Sequence, residues 1–235
     1  LVIRNTFKFS VFYVIGGMLF GLILACLINV KIKGIDFFRA AIYMPVITSS
    51  VAVGIVWRWL LGPNYGLLSV ILKSVGIMTM PNWLGDKKLV LFTVAFVQVW
   101  KMSGYYMILF LAGLQNISHE MMEAATIDGA NRPQRFFRIT LPLLSPTTFF
   151  ILTIAIIDSF KNFELILAMT RGGPMNASNT LVYDVYLNAF VYYRVGFAES
   201  IAFILLIIVA FFTVFAQRSF FMQFRLQPGG IPFAK

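Results

Sequence analysis

Residues 9–30 read FSVFYVIGGMLFGLILACLINV, a run that contains no Asp, Glu, Lys or Arg. An α-helix rises about 1.5 Å per residue, so roughly 20 residues are enough to cross a hydrocarbon core about 30 Å thick. Lipid offers no hydrogen-bond partners to an open backbone, which leaves the helix as the conformation for such a segment. This stretch therefore predicts a transmembrane helix and an all-α membrane protein.

Four more segments have the same character. Residues 40–57, 139–157 and 200–217 contain no charged side chain, and residues 89–112 contain only Lys101. The whole chain is 60% hydrophobic and 12% charged, which is too little polar surface for a water-soluble domain. The five predicted spans are 9–30, 40–60, 89–112, 142–162 and 197–217. Together they predict a single membrane domain over residues 1–235.

The first span carries a stripe of small residues. Gly17, Gly21 and Ala25 recur at every fourth position, which places them on one face of the helix. Small residues at this spacing allow the backbone of a second helix to approach closely. The pattern predicts that another span packs against this face.

Two long segments between spans, 62–88 and 163–196, show amphipathic patterns. In the first, Leu67, Leu68, Ile71, Leu72 and Val75 share one helical face, opposite Ser69, Lys73 and Ser74. Residues 180–194 repeat the pattern. Such helices are predicted to lie along the membrane surface.

Composition also excludes several classes of function. The net charge of +10 comes from basic residues scattered between spans, without the stacking aromatics of a nucleic-acid groove, and suits contact with lipid headgroups. Cys26 and His119 are single, which gives no disulfide framework and no metal-ligand cluster. The chain has no G-x-x-x-x-G-K-[ST] phosphate loop, so we predict that it does not hydrolyse ATP through that motif.

The segment of residues 118–142 differs from an ordinary polar loop. Ser118 suits a helix N-cap, and Glu120 follows in the first turn, where the helix dipole favours negative charge. Gly129 suits the end of that helix, because glycine adopts the left-handed conformation without penalty. A second short helix accommodates Pro133 in its first turn. The sequence predicts two short capped helices that stand off the membrane.

These residues carry a family resemblance. Glu123-Ala124-Ala125, Gly129 and Ile139-Thr140-Leu141-Pro142 match the pattern E-A-A-x3-G-x9-I-x-L-P at every fixed position. The pattern is similar to the cytoplasmic signature of the permease subunits of binding-protein-dependent ABC importers. Residues 123–130, LAGLQ at 111–115 and TRGGP at 170–174 resemble the carbohydrate-uptake branch, of the maltose and glycerol-phosphate type. The last of these resembles the first of that branch's two permeases.

The resemblance implies a fold and an orientation. It implies the type I ABC importer permease fold in a prokaryotic cytoplasmic (inner) membrane, with five transmembrane helices in this chain and one more expected upstream. It places a coupling loop, about 113–141, in the cytoplasm and the segments 62–88 and 163–196 outside. Charge alone does not orient the chain, because lysines and arginines divide equally between the two sides.

The resemblance also implies that the loop 120–142, within the 118–142 segment, couples the chain to a separate ATPase by inserting its coupling helix into a cleft of that subunit. Glu123 and Asp128 would contact the ATPase or brace the loop. Ala124, Ala125 and Gly129 would allow its close approach. Three further residues would tie the loop to the next span: Ile139, Leu141 and Pro142.

The implied assembly has several partners. They are a second homologous permease, two ATPase subunits that hold ATP and Mg²⁺, and an extracytoplasmic solute-binding protein that delivers a sugar. This chain would form half of the pore, work by alternating access, and bind no cofactor, metal or nucleic acid. Which sugar is carried, or whether the cargo is glycerol phosphate, the sequence does not decide.

Polar side chains inside the spans are candidates for a substrate path, because buried polar groups in membranes mark pathways or packed contacts. The candidates are Gln98, Trp100, Tyr105, Asp158 and Asn162, with Tyr106 and Ser159 beside them. Helix packing with interhelical hydrogen bonds is an equal alternative. The charged candidates are Lys101, Asp158, Lys161 and Glu199. All but Lys101 lie near the ends of spans, where a side chain that extends to the membrane interface is an equal alternative to a lining role.

Two other classes of function remain as alternatives. An ion-coupled secondary transporter tends to show internal repeats and discontinuous helices, and we find no clear repeat and few carboxylates here. A membrane-embedded enzyme would need a nucleophile with its base or a metal cluster, and neither is visible in the sequence.

Overall fold

The computed structural model describes residues 1–30, 32–63, 65–76 and 81–225. Residues 77–80 of the predicted outer segment 62–88, and the last ten residues of the predicted domain, lie outside this part of the chain. The described residues form twelve α-helices and two π-helical turns, and no strand is present among them. The predicted all-α class is therefore confirmed.

The helices follow one another with short connections. The first six are α1 (Val2–Ile28), α2 (Ile35–Ile47), α3 (Ser50–Leu60), α4 (Leu67–Ser74), α5 (Val90–Gln115) and α6 (His119–Ile127). The others are α7 (Arg132–Arg135), α8 (Leu141–Leu143), α9 (Ser145–Lys161), α10 (Glu164–Met169), α11 (Leu181–Tyr186) and α12 (Val195–Arg225). The π-helical turns are Phe136–Thr140, between α7 and α8, and Leu187–Val191, after α11.

Three helices are long and apolar enough to cross a membrane unbroken: α1, α5 and the Val195–Ala216 part of α12. Two bent pairs, α2 with α3 and the helical stretch Arg132–Leu143 with α9, bring the number of candidate spans to five. Helix α1 packs along α5 and also contacts α9, which in turn contacts α12. The core of the fold thus lies between α1, α5 and α9.

The predicted small-residue stripe of α1 faces α5, as expected. A Cβ added to Gly21 would lie 2.6 Å from the Cβ of Tyr106, and one added to Gly17 would lie 2.9 Å from the Tyr106 ring. The hydroxyls of Tyr13 and Tyr106 share a buried hydrogen bond of 2.7 Å. Because the glycines remove side-chain bulk, the two backbones approach closely enough for the tyrosines to meet.

The span predicted over 40–60 is not one continuous helix. Helix α2 ends at Ile47 and α3 begins at Ser50, with a bend of 97° between them. Thr48 is extended, and its hydroxyl donates to the carbonyl of Met44 at 3.0 Å, while Pro45 inside α2 lacks an N–H. A run without charged residues indicates that a segment is buried in lipid, but it does not indicate a break in the helix.

The span predicted over 142–162 also begins differently. The helical stretch Arg132–Leu143 meets α9 at an angle of 64°, and α9 begins at Ser145. Pro146 lies at the start of α9, where a missing N–H costs no helical hydrogen bond. Pro142 lies near the end of the stretch Arg132–Leu143, directly before the bend, rather than in α9.

The outer segments are more helical than ordinary loops. Helix α4 forms within the predicted amphipathic stretch, and its apolar side chains Leu67 and Ile71 are exposed. Ser69 instead faces the protein and donates to the carbonyl of Gly66 at 2.7 Å. Leu68 packs against the core, so only part of the apolar face of α4 points away from the protein, where it is available to a membrane surface.

Candidate functional site

The end of α6 is fixed by the turn at Gly129. This residue has φ +79°, the left-handed conformation predicted for it. Its N–H donates to the carbonyl of Thr126 at 3.1 Å, and the Ala130 N–H donates to the carbonyl of Ala125 at 3.0 Å. This pair of bonds is the Schellman arrangement, which satisfies carbonyls left open at a helix end. A side chain at Gly129 would project into open space within this chain.

The second short helix begins with a complete capping box. The Asn131 side chain accepts the Gln134 N–H, and the Gln134 side chain accepts the Asn131 N–H, both at 2.9 Å. Pro133 lies in the first turn of α7, as predicted. Arg135 donates to the hydroxyl of Thr126 at 2.6 Å and so links α7 to α6. Local sequence and one cross-link thus hold the two helices as a unit.

The residues at the start of α6 are at the predicted positions, but the side chain of the N-cap residue does not form the expected hydrogen bond. Ser118 is the N-cap residue and Glu120 lies in the first turn. The Ser118 side chain makes no capping hydrogen bond, so the cap stabilises α6 less than a bonded serine would.

Most of the predicted contact residues of the 118–142 segment are exposed. Glu123, Ala124, Asp128 and Gly129 all lie on the surface. Ala125 is only 7% exposed and faces its own chain, so it is less available to a partner than its neighbour. Sequence reasoning missed Ile127, which is 86% exposed although isoleucine is costly to leave in water. An exposed, bulky apolar residue beside Asp128 is a signal of a docking surface.

Between α6 and the π-helical turn lies a groove of about 380 Å³. Its lining includes Asp128, Gly129, Gln134, Arg138 and Ile139. The carboxylates of Glu123 and Asp128 form no ion pair within the described part of the chain. The segment therefore presents a concave polar surface and open charges on a rigid support.

The three residues predicted to connect this segment to the next span differ in how deeply they are buried. Ile139 is half-buried and lines the groove, whereas Leu141 is 37% exposed and Pro142 is exposed. Thr140, between them, is buried, and its carbonyl accepts the Leu144 N–H at 2.9 Å. The connection thus runs chiefly through the backbone of the π-helical turn and α8.

Some of the predicted substrate-path residues meet in a polar cluster inside the helix bundle. Gln98 lies beside the hydroxyl of Tyr13, which bonds Tyr106, and the charge of Asp158 reaches both tyrosines. The Oε1 atom of Gln98 is buried without a hydrogen-bond partner. The structure therefore brings Gln98 and Asp158 together, and it adds Tyr13. The sequence could have indicated Tyr13, because it lies four residues before Gly17, on the face of α1 that packs against α5.

Tyr105 borders this cluster, and the other path candidates make their contacts elsewhere. Trp100 packs against Trp57, with ring centroids 5.3 Å apart, and Tyr105 packs beside Tyr106. Asn162 follows the end of α9, and its Nδ2 atom is buried without a partner. These side chains do not share one cavity, so the packing alternative describes Trp100 and Tyr105 better than a path does.

Lys101 is held in place by a hydrogen bond to the backbone of α2. Its side chain is 5% exposed, and its Nζ atom donates to the carbonyl of Val46 at 3.2 Å. Val46 lies in the last turn of α2, where the break at Thr48 leaves carbonyls without helical partners. Lys101 therefore caps a helix that ends inside the apolar region.

Replacing Lys101 with methionine is expected to weaken the fold, because the Val46 carbonyl would lose its partner in an apolar environment. An unsatisfied buried acceptor costs about 1–3 kcal/mol. We expect the thermal midpoint of the purified protein to fall by several degrees, as measured by tryptophan fluorescence. Lys73→Met, at an exposed position on α4, is the control and should leave the midpoint unchanged. Equal midpoints for the two variants would contradict the capping role.

Comparison with known proteins gives one family and several close relatives. The model of the family described as binding-protein-dependent transport system inner membrane component matches residues 17–223. A probable ABC transporter permease protein, YesP of Bacillus subtilis, is 39% identical over 89% of this chain and 70% of its own length. The sn-glycerol-3-phosphate transport system permease protein UgpA of Agrobacterium fabrum is 37% identical over 97% of this chain and 76% of its own length.

A solved structure shares the fold. A chain of a bacterial alginate ABC transporter, solved in complex with alginate pentasaccharide-bound periplasmic protein, superposes with a TM-score of 0.85 at 25% identity. The match covers 98% of this chain and 80% of that one. The overall helical arrangement is thus similar to that of a transporter subunit.

Proposed function

Because this chain belongs to the family of binding-protein-dependent transport system inner membrane components, we propose that it forms half of the translocation pore of an ATP-driven carbohydrate importer. The membership confirms the resemblance found in the sequence, and the shared fold confirms the predicted permease architecture. The chain is a transport subunit in a membrane. What we propose beyond this is its cargo, its partner chains and the mechanism that couples transport to ATP.

The 118–142 segment is the observation that carries the mechanism. It is a pair of capped helices with an exposed Ile127 and with two carboxylates, Glu123 and Asp128, that form no ion pair with the residues the structure describes. In the proposal this surface docks into a cleft of an ATPase subunit. Closure of two ATPase subunits around ATP and Mg²⁺ draws the docked segments together and rocks the permeases from inward-facing to outward-facing. Moving such an equilibrium from about 1:99 to 99:1 takes roughly 5.5 kcal/mol of differential binding.

The remaining partners follow from the same mechanism. A second, homologous permease completes the pore, and a solute-binding protein docks at the end opposite the 118–142 segment. That end lies outside the cytoplasm if the segment is cytoplasmic, which places the complex in a prokaryotic inner membrane. The family name supports both the binding protein and the membrane.

The cargo is proposed as a carbohydrate or a carbohydrate phosphate. Relatives named for sn-glycerol-3-phosphate transport and a structural neighbour that imports alginate support this class. Within this chain, the polar cluster of Tyr13, Gln98, Tyr106 and Asp158 offers the hydroxyl, amide and carboxylate groups that hydrogen-bond sugar hydroxyls. The ion-coupled alternative gains no support from the comparisons.

The proposal is tested by reconstituting the permease pair, the ATPase and the binding protein in liposomes. We expect uptake only when ATP and Mg²⁺ are enclosed with the ATPase and the binding protein is supplied. Neutral oligosaccharides, acidic oligosaccharides and glycerol 3-phosphate are offered in parallel to identify the cargo. Uptake that continues without ATP and stops with an ionophore would instead establish the ion-coupled mechanism.

A further inference from the structure

A basic pocket opens beside the first turns of α1. Its volume is about 380 Å³, and its lining includes four cations, Arg4, Lys8, Lys87 and Lys88. Arg4 and Lys8 are four residues apart and therefore share a face of α1. Lys87 and Lys88 come from the turn that precedes α5. Two separate segments of the chain thus direct positive charge at one space.

No carboxylate neutralises these cations within the described part of the chain. The ion pair found there is between Arg39 and Asp36, at a different loop. The nearby Asp86 accepts the backbone N–H of Lys88 at 2.7 Å and does not line the pocket. The pocket therefore suits an anion that comes from outside this chain.

Hydrogen bonds fix the remaining wall of the pocket. Asn5 donates to the carbonyls of Asn176 and Asn179, at 3.0 and 3.1 Å. Thr6 accepts the Leu181 N–H at 2.9 Å. These bonds hold the loop that contributes Met175 and Ala177 to the lining, so the pocket has a preformed shape.

An apolar groove continues from the basic pocket along α1 and α5. It measures about 510 Å³ and is lined by Phe7, Val11, Phe12, Ile15 and Gly16, with Lys8 and Phe92 bordering both spaces. Val11 and Ile15 are more than half exposed. A soluble anion would leave this groove empty, whereas an amphiphile with an anionic head would fill both spaces.

We propose that this composite site binds an anionic phospholipid. Its phosphate lies among Arg4, Lys8, Lys87 and Lys88, and one acyl chain lies in the groove between α1 and α5. Basic pockets between transmembrane helices are a recurring form of headgroup recognition. The site lies at the start of α5, whereas the 118–142 segment follows its end, so the lipid site is separate from the proposed ATPase contact.

The headgroup is tested on the intact importer in detergent by native mass spectrometry. We expect phosphatidylglycerol to bind at least about tenfold more tightly than phosphatidylcholine with the same chains, equivalent to about 1.4 kcal/mol. Raising the salt concentration should release it. The double variant Lys8→Gln with Lys88→Gln should abolish this preference, whereas the control Lys73→Gln with Arg194→Gln should retain it. Equal binding of the two lipids by the unmodified complex would overturn the proposal.

The groove is tested with a matched pair of exposed positions on α1. Val11→Trp fills the groove, while Leu19→Trp adds the same bulk at an equally exposed position outside its lining. We expect only Val11→Trp to weaken lipid binding. If glycerol phosphate binds as tightly as the lipid, the site holds a soluble anion and the proposal fails. It also fails if the double variant loses the solute-binding protein but keeps phosphatidylglycerol.

Discussion

Replacing Gly129 with valine is expected to abolish ATP-driven uptake while the importer complex remains assembled. Gly129 holds φ +79° at the end of α6, and its surroundings within this chain are open. A left-handed backbone costs a residue with a side chain about 1–2 kcal/mol, and a β-branched residue is a strong outlier there. Valine would distort the turn that joins α6 to α7 and place bulk on the surface proposed to meet the ATPase.

The size of this effect follows from the coupling energy. The proposed conformational switch requires roughly 5.5 kcal/mol of differential binding. If the variant loses half of this energy, about 2.8 kcal/mol, uptake falls about a hundredfold. We therefore expect at least about a hundredfold loss for Gly129→Val. Gly129→Asn should retain part of the activity, because asparagine tolerates the left-handed conformation.

Gly76→Val provides the matched control. Gly76 has φ +90° and equally open surroundings, but it lies beyond α4, in the segment 62–88 that is predicted to face the other side of the membrane. It incurs the same backbone strain without touching the proposed ATPase contact. Uptake and ATP hydrolysis are measured in liposomes, and assembly is measured by co-purification of the ATPase. Normal uptake by Gly129→Val, or an equal loss for Gly76→Val, would show that the segment does not couple as proposed.

The features predicted correctly from sequence are those that depend on neighbouring residues. An uncharged run is a property of one segment, so it was enough to predict α1, α5 and α12. The turn at Gly129 and the place of Pro133 are likewise set by local backbone preferences. For the same reason the outline of the 118–142 segment was predictable, including the glycine on which its shape depends.

The features that sequence did not reveal depend on residues far apart in the chain. The break between α2 and α3 is stabilised by Lys101, 55 positions from the Val46 carbonyl that it caps. Tyr13 and Tyr106 bond across 93 positions, and their meeting requires the register between α1 and α5. The inward direction of Ala125 depends on which side of α6 faces the protein. Composition and spacing carry none of this information.

The contact between α1 and α5 is expected to tolerate little change. A Cβ at Gly21 would lie 2.6 Å from the Tyr106 Cβ and 3.2 Å from the Met107 backbone N. Neither atom is the end of a flexible side chain, so relief requires the two helices to separate. Separation would also break the buried hydrogen bond between Tyr13 and Tyr106, and a buried hydroxyl without a partner costs free energy.

We therefore expect Gly21→Ala to destabilise the protein by about 1–3 kcal/mol, the usual cost of overpacking, and Gly21→Leu to prevent recovery of an assembled complex. Yield and thermal midpoint after purification in detergent measure both effects. Gly196→Leu is the control, because a Cβ at Gly196 would meet no atom within 4 Å. If Gly21→Leu were recovered at the yield and midpoint of the unmodified protein, the close approach of α1 to α5 would be wrong. The placement of the Tyr13 and Tyr106 cluster would then be wrong as well.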